Sequence, residues 1–406
     1  MDKIKKKFGF GCMRLPMIGE DVDIEQTRQM VDLFLEEGFN YFDTAHGYIQ
    51  GKSELAVREC LTSRYPRDQY ILTDKLTGNY FKKEEDIRPF FESQLEACGV
   101  DYFDFYLMHS QGSGNFPHFK SCRAYETAFE LKKEGKIRHV GMSFHDTAEV
   151  LDQILTEYPQ IEVVQIQFNY LDYEDPKIQS RLCYEVCRKH NKPIIIMEPV
   201  KGGSLVNLPK IAGDVLDELQ GGSPASYAIR YAAGFPGVMM VLSGMSNMEQ
   251  MQDNLSYMKN FKLLNAKELK AVYEVQNIFN HMDLIRCTGC RYCVEGCPKQ
   301  IAIPDIFTVM NARQIHQDRN AEREYRDVHT SLGHRASDCI KCGKCTMVCP
   351  ANIMPVLIME NIDNIDNLKK LKCNKCIGCS LCSYICPSKI EVREFVNIAK
   401  EKVNHK

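Results

Sequence analysis

An α/β chain in two parts is predicted by two observations. Eight short β-rich apolar runs alternate with amphipathic stretches over residues 1–280, and thirteen of the nineteen cysteines fall in the last 120 of 406 residues. The first pattern predicts parallel strands joined by helical crossovers, and eight such units without long gaps fit a closed TIM (β/α)8 barrel of about 250 residues. The second predicts a small, mainly helical iron-sulfur domain over residues 281–406. A doubly wound open sheet is the alternative for the first part, but it leaves two edges to cover.

The eight runs are, in order, "FGFGCMRL", "NYFDTA", "YILTDKL", "FDFYLMH", "IRHVGMSF", "VVQIQFNY", "PIIIMEPV" and "GVMMVLSG". Each is rich in β-branched or aromatic residues and short enough to be a buried strand. Between them lie stretches with helical spacing, such as "IEQTRQMVDLFLEEG" and "SELAVRECLTSRY". The last helix is expected over "AVYEVQNIFNHMDL", running straight into the cysteines.

Those cysteines are written as one phrase three times: "CTGCRYCVEGCP", "CIKCGKCTMVCP" and "CIGCSLCSYICP". The sets are Cys287, Cys290, Cys293 and Cys297; Cys339, Cys342, Cys345 and Cys349; and Cys376, Cys379, Cys382 and Cys386, with Cys373 just ahead of the third. Three thiolates at this spacing close on three corners of a four-iron cube, and a fourth before proline ligates the other cluster in two-cluster ferredoxins. Zinc takes four ligands, usually as two separated pairs, and needs neither the third cysteine nor the proline. Disulfide frameworks belong to small secreted chains. Twelve cysteines predict three 4Fe-4S clusters, with one cysteine left over.

Net charge is -3 with 44% hydrophobic residues, a balance without the basic stripe that nucleic acid requires. No stretch reaches the length of a membrane span. The basic "MDKIKKKFGFGCMRLP" is broken by Gly9, Gly11 and Arg14 too early for a signal peptide. Cys12, Cys60, Cys98, Cys122, Cys183 and Cys187 are read as plain buried thiols. Free thiols beside oxygen-labile clusters lead us to expect the cytoplasm of an anaerobe.

In such a barrel the chemistry lies at the C-terminal strand ends. Asp43 ends the second run with Tyr48 five residues on, Lys75 sits near the end of the third, and His109 closes the fourth. A tyrosine with an ordinary pKa of about 10 becomes a usable acid if a neighbouring ammonium favours its phenolate. Lys75 is that ammonium, Asp43 holds it charged and oriented, and His109 hydrogen-bonds a substrate carbonyl. Strand-end polar residues that merely cap a barrel are the plainer reading of any one of them, but four complementary residues fit carbonyl reduction.

The segments "YFDTAHGY", "ILTDKL" and "DYFDFYLMH" resemble the signature blocks of the aldo-keto reductases, and the likeness runs from about residue 8 to about residue 260. The resemblance implies a TIM barrel and the catalytic tetrad Asp43, Tyr48, Lys75 and His109. For the nicotinamide it implies Ser143 and Gln165, but Phe144 stands where the family has Asn, and Met197 where it has a stacking aromatic ring. The family's two cations for a 2'-phosphate align with Gly244 and Gln250, while Asp253 and Asn254 match the residues that hold adenine. These departures favour NAD(H) over NADP(H). Lys201, with Gly202 and Gly203, is either a solvated turn or a contact for pyrophosphate.

The cysteine region resembles the ferredoxin extensions fused to some bacterial aldo-keto reductases, in which two phrases exchange their last cysteines. That pattern implies one cluster on Cys287, Cys290, Cys293 and Cys349 and another on Cys339, Cys342, Cys345 and Cys297. The third phrase departs from it. Either Cys373 or Cys386 completes a third cluster, or the second and third phrases are the exchanging pair, as in the similar segments of membrane electron-transfer subunits.

Nicotinamide gives two electrons together, whereas a cubane carries one at a time. A flavin at the barrel mouth is one way to reconcile them, and single-electron delivery to the substrate from a ferredoxin or flavoprotein partner is another. The expected function is reduction of a small carbonyl or conjugated carbonyl compound, with electrons relayed through the clusters. The alternatives are an electron-transfer adaptor whose barrel is a docking body, and an NADH-dependent reductase whose clusters are structural or sensing. Substrate loops such as "SQGSGNFPHFKSC" after His109 are expected to be mobile.

Overall fold

The computed structural model describes residues 3–176 and 178–280 and, beyond them, 294, 297–303, 305, 306, 309, 399 and 403. Of the thirteen C-terminal cysteines, Cys297 is described and the other twelve, from Cys287 to Cys386, lie outside the described residues, as does the proposed cluster wiring. The chain divides into two compact units. One comprises Met1–Asn207 with Val215–Gln276, the other Leu208–Asp214 with Asn277–Lys406.

In the first unit each of the eight runs supplies a strand of one closed parallel barrel. We number these β1 (Phe8–Gly11), β2 (Tyr41–Asp43), β3 (Ile71–Leu76), β4 (Phe103–Gln111), β5 (Ile137–Phe144), β6 (Val163–Gln167), β7 (Ile194–Met197) and β8 (Val238–Gly244). Neighbours in sequence are neighbours in the sheet, and β1 closes on β8 with Gly9 opposite Leu242 and Gly11 opposite Gly244. The runs read as continuously apolar because the strands are covered on both faces, and all six residues of β3 are buried.

Side chains of one parity fill the interior. Tyr41, Ile71, Phe105, Leu107, Val163, Ile195, Met240 and Leu242 form one buried cluster. Gly9 and Gly141 face the same space, where neighbours take up the room of a side chain. A Cβ on Gly141 would lie 2.5 Å from Val163 Cγ1 and 2.7 Å from the Val163 carbonyl oxygen. The other parity faces the helices, as the packing of Phe8, Phe10 and Phe42 around Phe34 of helix Ile24–Glu36 shows. That helix starts where Asp23 accepts a hydrogen bond from Gln26 N at 3.0 Å, which satisfies one of the orphan donors of its first turn.

Three local expectations are corrected. The last helix of the first 280 residues begins earlier than the sequence suggested, at Ala266, and is described to Asn280. The segment after His109 is not all loop: β4 continues to Gln111, and Phe116–Ser121 is helical. Helix Lys52–Val57 widens into a π-helical turn, Arg58–Thr62, in place of a uniform helix. No described helix is long and apolar enough to cross a membrane.

Candidate active site

The inward parity that builds the core also delivers the polar residues. Two residues beyond Tyr41 on the same face comes Asp43, four beyond Ile71 comes Lys75, and two beyond Leu107 comes His109. Ser143, Gln165, Met197 and Gly244 continue the same alternation from Gly141, Val163, Ile195 and Leu242. All seven therefore ring the C-terminal mouth of the barrel.

Lys75 Nζ donates to Asp43 Oδ1 at 2.6 Å and to the Thr44 carbonyl at 2.7 Å. Both side chains are almost fully buried, and Asp43 Oδ2 has no hydrogen-bond partner among the described residues. Burial pushes the Asp43 carboxyl up from its ordinary value, and the Lys75 ammonium opposes that rise. Tyr48 opens the short turn Tyr48–Gly51 after β2, with its ring centroid 4.9 Å from Lys75 Nζ and 6.0 Å from the His109 ring. The structure thus gathers the four residues that the sequence put forward as a tetrad. Burial, helped by Lys75 and His145, holds His109 well below the ordinary histidine value, so the ring is neutral at neutral pH. Its Nδ1 lies 2.7 Å from Thr77 Oγ1. His145, just past β5, is a second imidazole near this site, and desolvation pushes it down to about 4.

Behind Lys75, on the helix-facing side of β3, lies a network that motif reading missed. The groups of Glu54, Asp74 and Cys98 lie within 4.8 Å of one another, all buried. Asp74 Oδ1 accepts from Lys75 N at 2.8 Å, and Gln94 Nε2 donates to the Lys75 carbonyl at 3.1 Å and to Glu54 Oε1 at 3.2 Å. Tyr106 OH closes the network on Gln94 Oε1 at 2.6 Å. Both backbone groups of Lys75 are thereby held by side chains. The Asp74 and Glu54 carboxyl groups lie within 4.8 Å of each other and both are buried, an arrangement that favours one proton held between the two. His46, at 2.8 Å from Glu54 Oε2, is raised by that hydrogen bond.

Burial, reinforced by the Glu54 charge, holds the Asp74 carboxyl well above its ordinary 3.8. The folded chain keeps this proton while the unfolded chain releases it above that value. The stability it contributes is therefore full at lower pH and lost as pH climbs from 3.8 toward the raised pKa. Asp74→Asn keeps the acceptor for Lys75 N and a donor for Glu54 without the titration. Urea denaturation should show a gain in stability over wild type that is larger at pH 8 than at pH 5. An equal gain at both values, or a loss at pH 8, would count against the shared proton.

The residues assigned by resemblance to a nicotinamide show a fit of their own. Gln165 Oε1 is buried and lacks a partner among the described residues, while Ser143 Oγ accepts from Ser110 N at 2.7 Å and keeps its own proton to give. One acceptor and one donor side by side at register partners of β5 and β6 complement a carboxamide. Met197 ends β7 half-buried, and Phe144, where the family has Asn, takes the parity opposite to Ser143.

At the end of β8, Gly244 lies under Arg14, whose Cβ, Cδ and Cγ are 3.1–3.2 Å from where a Cβ would stand. Gln250 Oε1 accepts from Ser246 N at 2.8 Å, and Asn247 Oδ1 from Gln250 N at 2.9 Å, so this side chain helps cap helix Met248–Met258. Asp253 accepts from Ser223 Oγ at 2.6 Å, and Asn254 Nδ2 donates to Ser243 Oγ at 3.3 Å, so both have partners within the barrel unit. Lys201 is not a solvated turn. It is buried and paired with Asp172, whose other oxygen accepts from Asn169 Nδ2 at 2.7 Å and Gln167 Nε2 at 2.9 Å.

A family model described as the aldo/keto reductase family matches residues 7–277, and two described as 4Fe-4S dicluster domains match residues 286–354 and 338–390. The two dicluster matches overlap on the second cysteine phrase. Among curated proteins the chain is similar to the NADH-specific methylglyoxal reductase of Escherichia coli, 28% identical over 197 residues. That match covers 43% of this chain and 57% of the relative, less than two thirds of its length. An uncharacterized oxidoreductase of Bacillus subtilis is 25% identical over 296 residues, covering 65% of this chain and 90% of that one.

Among solved structures, an aldo-keto reductase from Klebsiella pneumoniae in complex with NADPH is similar in fold, with TM-score 0.55 and 20% identity over 66% of this chain and 90% of that one. The holo form of an aldo-keto reductase from Bacillus halodurans gives TM-score 0.54 and 26% identity over 67% and 92%.

Proposed function

The chain belongs to the aldo/keto reductase family and is an iron-sulfur oxidoreductase, and from that premise we propose that it reduces a small carbonyl or conjugated carbonyl compound. Tyr48 is the proton donor in this reading, and electrons are relayed through three 4Fe-4S clusters on the C-terminal cysteines. The observation that carries it is the buried Lys75–Asp43 pair at 2.6 Å with its ammonium 4.9 Å from the Tyr48 ring. A cation there favours the negative charge left on the phenol oxygen when its proton passes to a substrate oxygen. Neutral His109 gives that oxygen a hydrogen bond, and Asp43 keeps Lys75 charged and in place. In the alternative NADH-dependent reading, a carboxamide-bearing nicotinamide held by Ser143 and Gln165 would supply both electrons as hydride, and the clusters would be structural or sensing.

Our reading prefers NADH to NADPH because Gly244 carries no cation and Gln250 serves its own helix. The Klebsiella pneumoniae structure holds NADPH and the Escherichia coli relative is named for NADH, so the preference rests on this chain's residues. The flavin alternative has no comparison in its favour. The free, buried thiols of the barrel unit accord with a reducing cytoplasm.

Anaerobically purified protein tests the reading. Iron should approach about twelve per chain, as three four-iron clusters require, and about eight would remove the third. A reduced ferredoxin should bleach the cluster absorbance one electron at a time, and an aldehyde or enone should restore it with matching loss of the carbonyl compound, whereas bleaching by NADH would require a further group that splits its two electrons. Clusters that never change colour while NADH reduces the carbonyl would defeat the relay. No turnover with any donor would defeat the reductase.

A further inference from the structure

A neutral imidazole carries one proton on either Nδ1 or Nε2, and the hydrogen bond at one nitrogen decides which. For His109 that bond is to Thr77. Thr77 is the first residue past β3, two after Lys75, and its carbonyl accepts from Tyr80 N at 3.1 Å at the start of the turn Gly78–Tyr80. The turn is packed from above, since a Cβ on Gly78 would come within 3.0 Å of Phe119. The hydroxyl is therefore delivered to Nδ1, at 2.7 Å, by a constrained piece of chain.

A threonine hydroxyl can donate or accept, so the pairing alone leaves two arrangements. If Nδ1 carried the proton, it would donate to Oγ1, and the hydroxyl proton would have no protein acceptor among the described residues. If the hydroxyl donates, both groups are satisfied. We propose that Thr77 is a positioning residue that donates to His109 Nδ1 and so keeps the ring's own proton on Nε2, where it can bond a substrate oxygen. The inference rests on the carbonyl-reductase reading for its purpose, not for its geometry.

The same unit contains a contrast. His46 meets a carboxylate, Glu54, and is raised by it, whereas His109 meets a neutral hydroxyl and stays unprotonated. A carboxylate at position 77 would favour imidazolium. Threonine orders the tautomer without adding charge.

The test is 15N NMR of protein labelled at histidine, without substrate, with His109 assigned by the signal that disappears in His109→Gln. Wild type should show Nε2 protonated and Nδ1 bare. Thr77→Val should populate the other tautomer and lower kcat roughly 3- to 10-fold, the scale of one hydrogen bond, with KM little changed. Thr77→Ser should restore both readouts. A wild-type ring protonated on Nδ1 overturns the proposal, and so does a Thr77→Val protein with an unchanged tautomer. The resting spectrum requires no turnover and the wild-type protein suffices for its first half, so a misfolded variant does not block it. If the expected tautomer is found but no carbonyl compound is reduced, the reductase reading fails and the Thr77 assignment stands.

Discussion

Tyr48→Phe is expected to lower kcat for carbonyl reduction by about 100- to 10,000-fold, the span that a positioned general acid contributes. The change removes one hydroxyl and leaves the ring against Lys75 and His109, at 4.9 and 6.0 Å. Fold and cluster absorbance should therefore be those of the wild type, and reduction of the clusters by an external donor should continue. Steady-state loss of the carbonyl compound is the readout, with the visible spectrum as control. An adaptor would pass electrons equally well in both forms. Wild-type turnover in the Phe variant would remove Tyr48 from the mechanism.

Lys75→Met should act on stability as well as turnover. Asp43 is 3% exposed, and one of its oxygens is already without a partner among the described residues. Removing the ammonium leaves a buried carboxylate with no countercharge, a change that typically costs about 3–5 kcal/mol. The barrel should unfold at lower urea, and the loss should ease as acid protonates Asp43. Lys75→Met combined with Asp43→Leu removes both charges and should be less destabilised than Lys75→Met alone. If the double variant is the weaker of the two, the cost comes from lost packing and not from the stranded charge. Turnover should fall in every case.

The barrel was legible because its strands are covered on both faces, which leaves short apolar runs with few competing readings. Asp43, Tyr48, Lys75 and His109 were legible as strand-end residues whose types form a mechanism. Partners made by folding were not. Asp74 and Glu54 lie twenty residues apart in sequence with nothing in either segment to signal that their carboxyls meet, and Gln94 joins them from a helix further on. Thr77 carries no signal in the sequence, and only the fold sets its hydroxyl 2.7 Å from His109 Nδ1. Lys201 read as either a solvated turn or a pyrophosphate contact because a lysine ahead of two glycines looks alike whether or not an aspartate waits across the fold. The only signal that could have found Asp74 was a charged residue on a strand otherwise buried on both sides.

The shared parity of core and mouth gives the barrel a particular kind of inheritance. One residue inserted between Ile71 and Lys75 would turn the ammonium toward the helices and exchange the interior of β3 in the same event. A slip in β4 between Leu107 and His109 would do the same to the imidazole. Selection cannot move one reactive side chain along its strand without rebuilding the layer beneath it. Variation in what this chain acts on is therefore channelled into the segments after the strands, such as the turn that begins at Thr77, while the positions of the reactive groups are passed on together with the core.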